Sequence, residues 1–104
     1  MIWEDASTLT PFGDFVETVE TSNGSYDFYR GEPDWEPEGS NWTYLAFVRK
    51  ENRLLGTTDI DELLEYLVGS GVVSDQSYLG SIEFGNEVGN STGYTLLKKF
   101  EIRH

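Results

Sequence analysis

Polar and apolar residues alternate along much of this 104-residue chain, and a two-residue period predicts β-strands. We expect strands over 15–21, 26–30 and 42–49, the last being rich in aromatic and β-branched residues. Residues 22–25 include an Asn-Gly pair, which favours a hairpin turn because it tolerates positive φ. Residues 1–3 are interpreted as the end of a further strand.

One segment has a helical period instead. Its apolar stripe is formed by Ile60, Leu63, Leu64, Leu67 and Val68. We expect Thr58 or Asp59 to cap the N-terminus of this helix, because their side-chain oxygens can accept from free backbone N–H groups. A Gly-Ser-Gly sequence at 69–71 is expected to end it.

Two more strands are predicted after the helix, over 78–88 and 94–102, with a turn over 89–93. In the first, Glu83, Gly85 and Glu87 would share one face. Glycine in a strand often marks a place where a ligand comes close, and a carboxylate beside that space suits proton donation to a sugar. The alternative is a solvated strand face in a very acidic protein.

About six strands in hairpin order with one helix predict an all-β fold, an antiparallel jelly-roll β-sandwich. The length fits a single domain over 1–104.

Composition narrows the function classes. Nineteen acidic residues against seven basic ones give a net charge of −12, which disfavours nucleic acid and anionic membranes and leaves neutral sugars or cations as ligands. Such acidity also fits a halophilic source, with an ordinary acidic protein as the alternative.

There is no cysteine and the one histidine is His104, so thiol catalysis, a Ser-His-Asp triad and His-rich metal sites are excluded. No membrane-length apolar run or signal peptide is recognised, which predicts a cytoplasmic chain or a piece whose targeting segment lies elsewhere.

Several segments, taken in chain order, resemble the C-terminal half of glycoside hydrolase family 12, which includes β-1,4-glucanases and xyloglucanases. They are Met1-Ile2-Trp3, the Pro11-Phe12-Gly13 loop, the strands over 26–29 and 42–48, the helix followed by Tyr78-Leu79, and Gly85-Asn86-Glu87. The resemblance covers essentially the whole chain. It implies a concanavalin-like jelly roll with one helix and, in such enzymes, an extracellular location.

The resemblance also implies catalytic roles. Glu87 matches the family's general acid/base, whereas the nucleophile belongs two residues before Met1, a position that this sequence lacks. Retaining glycosidases need two carboxyl groups about 5–5.5 Å apart, so the isolated chain is expected to be inactive or nearly so. Glu4 has the wrong parity to replace the nucleophile, and Asp5 lies too far along the strand. Glu83 shares a face with Glu87 but is also too distant to form the pair.

Other residues are interpreted as substrate contacts: Met1, Trp3, Trp35, Glu83 and Gly85. The resemblance places Trp3 beside the nucleophile in the cleft, which makes it the first candidate for stacking on a sugar. Trp35 lies in a polar loop and is interpreted as a rim contact. Trp42 can also stack, and a core role for two of the three tryptophans is the alternative.

No cofactor or metal is expected, since the acidic run over 32–38 lacks the spacing of a calcium loop. The expected partner is a β-glucan.

Two alternatives to a glucan-degrading enzyme stay open. One is a non-catalytic carbohydrate-binding or interaction module that completes its sandwich as a homodimer or with an N-terminal half. The other is an acidic domain using the scaffold for something unrelated.

Overall fold

A computed structural model describes residues 1–6, 9–33, 42–85 and 96–103. The described elements, in chain order, are β1 (Ile2–Trp3), β2 (Asp14–Thr21), β3 (Gly24–Gly31), β4 (Tyr44–Arg49) and α1 (Ile60–Gly69). The strands predicted before the helix and the helix itself are therefore confirmed, with bounds that shift by at most two residues. No helix in this part of the chain is long and apolar enough to cross a membrane.

The four strands form one sheet in the order β1-β4-β3-β2. β2 and β3 are the predicted hairpin, and the turn closes at Gly24, whose φ of +138° suits glycine. A Cβ there would also lie 2.1 Å from the Arg49 guanidinium. β3 and β4 pair antiparallel as well.

The fully antiparallel sheet predicted from hairpin order is wrong at β1, which pairs parallel to β4. The long excursion through the β2–β3 hairpin returns the chain beside β1 in the same direction. The Met1 ammonium donates to the Leu45 carbonyl at 2.7 Å, and the Phe47 N–H donates to the Met1 carbonyl at 2.9 Å. Both the ammonium and the carbonyl group of Met1 are therefore hydrogen-bonded to β4.

One face of the sheet is covered by α1, and we call it the helix face. Its core consists of Val19, Tyr26, Phe28, Phe47, Leu63 and Leu67, all buried. Each side chain of this kind stabilises the fold by about 1.5–3 kcal/mol when it leaves water. Tyr66 of α1 sets its ring edge-on to Phe28, with centroids 5.3 Å apart. The hydrophobic stripe of the helix therefore meets the aromatic side chains of β3 and β4.

The helix ends follow the predicted chemistry. The Asp59 carboxylate accepts from the Glu62 N–H at 3.3 Å, which confirms Asp59 as the N-cap. At the other end, the Ser70 N–H donates to the Tyr66 carbonyl at 2.9 Å. Glu62 also accepts from the Ser22 N–H at 2.8 Å, which ties the helix to the β2–β3 turn.

The predicted strands over 78–88 and 94–102 are wrong wherever the structure describes them. Residues 78–85 and 96–102 form no strand, and 86–88 and 94–95 lie outside the described residues. A strand exists only when its backbone pairs with a neighbour, and Gly80 and Gly85 weaken the first segment further. The two segments meet through Phe84 and Phe100, whose ring centroids lie 5.5 Å apart. Six strands and a complete jelly roll are therefore not confirmed, and the described fold is mostly β with one helix.

β2 is an edge of this sheet. Six of its eight residues are exposed, including Phe15 at 55% and Val16 at 47% of their full accessible surface. Three carboxylates lie along it, on Asp14, Glu17 and Glu20. The strand bulges between Phe15 and Glu17, which interrupts a regular edge.

Candidate aromatic binding face

The face of the sheet opposite α1 is the candidate site, and we call it the open face. Side chains alternate along a strand, so Ile2 packs against the core while Trp3 points the other way. Trp3 lies opposite Val48, which in turn pairs with Asp27. Within the described chain, no helix or strand packs on this face.

The register lines up two rows of side chains across this face. One row consists of Trp3, Val48, Asp27 and Thr18, each on a different strand. The neighbouring row contains Ala46, Tyr29 and Phe15. Directly paired residues lie on the same side of a sheet, so each row is a continuous strip. The Trp3 row crosses three strand spacings, or about 14 Å, and the neighbouring row crosses two, or about 10 Å.

Aromatic side chains dominate the strip away from Trp3. Phe15 and Tyr29 meet edge to face, with centroids 5.8 Å apart and planes at 71°. Tyr44, two positions before Ala46 on β4, meets the Phe12 ring at 5.7 Å and 84°. Aromatic rings offer flat apolar surfaces on which the C–H faces of sugars can pack.

Glycines bring the Pro11-Phe12-Gly13 loop against the end of β3. Gly13 has a φ of +94°, and a Cβ on it would lie 2.5 Å from the Arg30 carbonyl oxygen. A Cβ on Gly31 would lie 2.7 Å from the Phe12 ring. Both positions need glycine for this close approach, and the result is that Phe12 reaches Tyr44.

A hollow of about 370 Å³ opens beside the start of β4, next to Met1. It is lined by Met1, Trp42, Thr43, Tyr44 and Leu45. Met1 is 55% and Trp42 is 42% exposed, so apolar surface is available there. Trp42, which was interpreted from the sequence only as a residue that can stack, joins the candidate site by this geometry.

The predicted site residues are distributed unequally. Met1 and Trp3 lie at β1, with the Trp3 ring on the open face. Glu83 and Gly85 lie in an exposed irregular segment and not on a strand of the sheet. Glu87 and Trp35 lie outside the described residues, as does most of the acidic run over 32–38. In the described ranges, no group of three or more metal-ligating side chains is present.

Trp3 has an unusual polar environment. Its indole N–H is buried and has no hydrogen-bond partner among the described residues. Buried donors are usually paired, so this one leaves the orientation of the ring to packing and to the backbone of β1. Asp27, in the same row, is held by the Thr18 hydroxyl at 3.0 Å and by the Lys50 ammonium at 3.4 Å.

Of the carboxylates that the structure describes, the one with the most partners is Glu4, on the helix face. It accepts from the Tyr26 hydroxyl at 2.6 Å and from Arg53 Nε at 3.1 Å, and the Thr58 hydroxyl donates to it as well. Burial alone would raise the pKa of Glu4, but the hydrogen bonds from Thr58, Tyr26 and Arg53, with the charge of Arg53, hold it below its ordinary value of 4.5.

Sequence reasoning missed this network because it weighed Glu4 only as a substitute nucleophile. The structure places its carboxylate away from the face that carries Trp3. The available signal was parity: Glu4 is two residues after Ile2, which is a core position, so an acid there requires cations such as Arg49 and Arg53.

Known glycoside hydrolases are similar in sequence to this chain. The model of Glycosyl hydrolase family 12 matches residues 1–102. Endoglucanase S of Pectobacterium parmentieri is 30% identical over 94 residues, which are 89% of this chain and 35% of that protein. Xyloglucan-specific endo-beta-1,4-glucanase 1 of Phytophthora nicotianae (strain INRA-310) is 31% identical over 91 residues, which are 84% of this chain and 35% of that protein.

A solved structure matches as well. The family 12 xyloglucanase from Bacillus licheniformis in complex with ligand superimposes with a TM-score of 0.63 at 30% identity. The match covers 70% of this chain and 31% of that one. This chain therefore spans about a third of the length of the relatives it matches.

Proposed function

Because this chain belongs to Glycosyl hydrolase family 12, we propose that its open face binds β-1,4-linked glucans. The observation that carries the proposal is the row that begins at Trp3 and crosses all four strands on the side of the sheet where no described helix or strand packs. Two of the matched proteins are named as xyloglucan enzymes, which makes xyloglucan and unbranched β-glucans the first ligands to test.

The shape and charge of the face suit such a ligand. A polysaccharide lying across the strands would meet Trp3 at one end and the Phe15–Tyr29 pair at the other. Asp27 and Thr18 supply hydrogen-bonding groups between those apolar contacts. Since a glucan is uncharged, the net charge of −12 does not oppose its approach.

We further propose that Glu87 is the acid/base of a retaining mechanism whose nucleophile is absent from this sequence. In a complete site, a carboxylate attacks the anomeric carbon while Glu87 protonates the leaving glycosidic oxygen. Glu87 then takes a proton from water, which hydrolyses the glycosyl-enzyme and releases the nucleophile. With only one of the two carboxylates, this chain is proposed to bind glucan with little or no turnover.

A second candidate function is favoured by exposed apolar side chains. Leu54 is 84%, Leu55 is 85% and Tyr78 is 99% exposed, and β2 leaves a strand edge unpaired in the described sheet. Such surfaces invite a partner that completes the sandwich. Under this proposal the chain is a carbohydrate-binding or interaction module, paired with a second copy or with a separate N-terminal half.

The cellular location of the protein can be proposed from its expected ligand. Polysaccharide substrates of this kind are outside the cell, so we propose that the chain, or the protein that contains it, acts there.

Binding is the first test. We expect calorimetric titration of the chain with xyloglucan oligosaccharides to show saturable binding, and Trp3→Ala to weaken it about tenfold or more. Leu55→Ala is the control, because it removes a side chain that is 85% exposed and belongs to no strand of the sheet. Equal affinities for the wild type and Trp3→Ala would reject the open face as the site.

Turnover is the second test. We expect negligible reducing-sugar release from xyloglucan by the chain and by Glu87→Gln. Because side chains alternate, a Glu-Leu dipeptide added before Met1 would place a carboxylate on the side of Trp3. If Glu87 is the acid/base, any activity gained with Glu-Leu should be lost with Gln-Leu and with Glu87→Gln. Activity that survives Glu87→Gln would exclude this role.

A further inference from the structure

The Glu4 carboxylate joins parts of the chain that are far apart in sequence. Tyr26 comes from β3, Arg53 follows β4, and Thr58 precedes α1. Arg49, at the end of β4, adds a charge with its Nε 3.9 Å away. The backbone is tied as well, because the Arg53 N–H donates to the Glu4 carbonyl at 3.0 Å. We call this set of contacts the Glu4 clamp.

The Glu4 carboxylate is well supplied with donors and positive charge, although Arg49 Nε itself is buried without a hydrogen-bond partner among the described residues. One carboxylate accepts three side-chain hydrogen bonds and lies within reach of two guanidinium groups. The Glu4 side chain is 27% exposed, and Arg53 and Arg49 are 22% and 12% exposed. Partial burial strengthens such pairs relative to fully solvated ones, and breaking one partner leaves the others uncompensated.

Trp3 depends on its backbone for its orientation. β1 has only two residues, and within the described part of the chain it pairs on one side only, with β4. No other described residue gives the indole N–H a hydrogen-bond partner that would fix the ring. The peptide is held before Trp3 by the Met1 contacts with β4, and directly after it by the Glu4 clamp.

We propose that Glu4 is a positioning residue for glucan binding: its clamp on the helix face fixes the Trp3 ring on the open face. Glu4 directly follows Trp3, the last residue of β1, so anchoring the Glu4 side chain and carbonyl fixes the backbone from which the Trp3 side chain projects. The role in glucan binding rests on the proposed function, whereas the coupling between Glu4 and Trp3 does not.

The experiment compares Glu4→Gln with Asp5→Asn in protein labelled with 5-fluorotryptophan. Each variant removes one acidic charge from neighbouring positions, but Asp5 is exposed and has no part in the clamp. The ¹⁹F resonance of Trp3 is assigned by its loss in Trp3→Phe, and the Trp42 resonance serves as an internal reference. Xyloglucan affinity and circular dichroism are measured on the same samples.

We expect Glu4→Gln to shift or broaden the Trp3 resonance and to weaken xyloglucan binding about tenfold. The Trp42 resonance and the circular dichroism should stay as in the wild type, and Asp5→Asn should behave as the wild type throughout. A Trp3 resonance unchanged in folded Glu4→Gln would overturn the proposal. So would a general shift of all tryptophan resonances, because that indicates a structural role without specific positioning.

Two further results are informative. If the wild type binds no glucan, the proposed function fails, but the fluorine spectra still decide whether Glu4 positions Trp3. If Glu4→Gln does not fold, Thr58→Val weakens the same clamp by one hydrogen bond at nearly constant volume. It is then expected to perturb Trp3 in the same direction by a smaller amount, and an unperturbed Trp3 would count against the proposal.

Discussion

Phe28 and Phe47 stack across the β3–β4 pair, with ring centroids 4.9 Å apart and planes inclined by 24°. They are 1% and 3% exposed, and Tyr66 of α1 sets its ring edge-on to both. The contact between sheet and helix is therefore built around these two rings. Loss of this contact should therefore lower the stability of the whole described fold.

We predict that Phe47→Ala destabilises the protein by about 3–5 kcal/mol, because it removes buried area and leaves a cavity under the helix. Urea unfolding followed by circular dichroism measures this change. Phe15→Ala is the control, since Phe15 is 55% exposed on the other face and should cost much less. Equal losses for the two variants would mean that the core does not lie under α1.

A second prediction concerns the helix N-terminus. Asp59→Ala should lower stability by about 0.5–2 kcal/mol, because the Glu62 N–H loses its acceptor. Asp59→Asn retains an amide oxygen at the same place and should lose little. Thermal unfolding of the three proteins in one buffer tests the prediction, and an Asn variant as unstable as Ala would argue for a charge effect instead of a cap.

Acid stability should depend on Glu4. Its pKa lies below the ordinary value of 4.5 in the folded state, so the unfolded chain takes up this proton first as pH falls. The stabilisation is complete above about pH 4.5 and is lost progressively below it. Glu4→Gln should therefore be less stable than the wild type at pH 7, and the difference should shrink on acidification. A difference that is constant with pH would contradict this assignment.

Alkaline stability should depend on Tyr66. Burial, with the Glu17 carboxylate beside its hydroxyl, raises the pKa of Tyr66 to about 12 from an ordinary value of 10. The folded state therefore keeps the proton that the unfolded state releases, and stability falls as pH rises from about 10 to 12. Tyr66→Phe should flatten this decline in unfolding measurements across that range. Glu17→Gln should flatten it in part, since burial, the largest single cause of the raised pKa, remains.

Local patterns in the sequence predicted the elements whose partners are local. The β2–β3 hairpin follows from alternation around Asn23-Gly24, and α1 follows from its apolar stripe and the Asp59 cap. The family was recognisable from short motifs spread along the chain. These features need only neighbours within a few residues, and for that reason a single sequence contains them.

Contacts distant in sequence could not be predicted in this way. β1 has two residues, too few for any period, so nothing indicated its parallel pairing with β4. The Glu4 clamp spans separations of 22, 49 and 54 residues, which no local pattern reveals. The strand predicted over 78–88 failed in its described part for the converse reason. Alternation there reports which side chains would share a face if a neighbouring strand were present, but not whether one is.

The exposed edge of β2 has a consequence for the behaviour of this protein in concentrated solution. In the described sheet no strand pairs with its outer side, where Phe15 and Val16 are exposed, and Asp14, Glu17 and Glu20 repel the same edge of another molecule. This protection is electrostatic, and about 1 M salt shortens its range to about 3 Å. At low ionic strength the protein should therefore stay monomeric, whereas added salt should promote edge-to-edge association of molecules through β2.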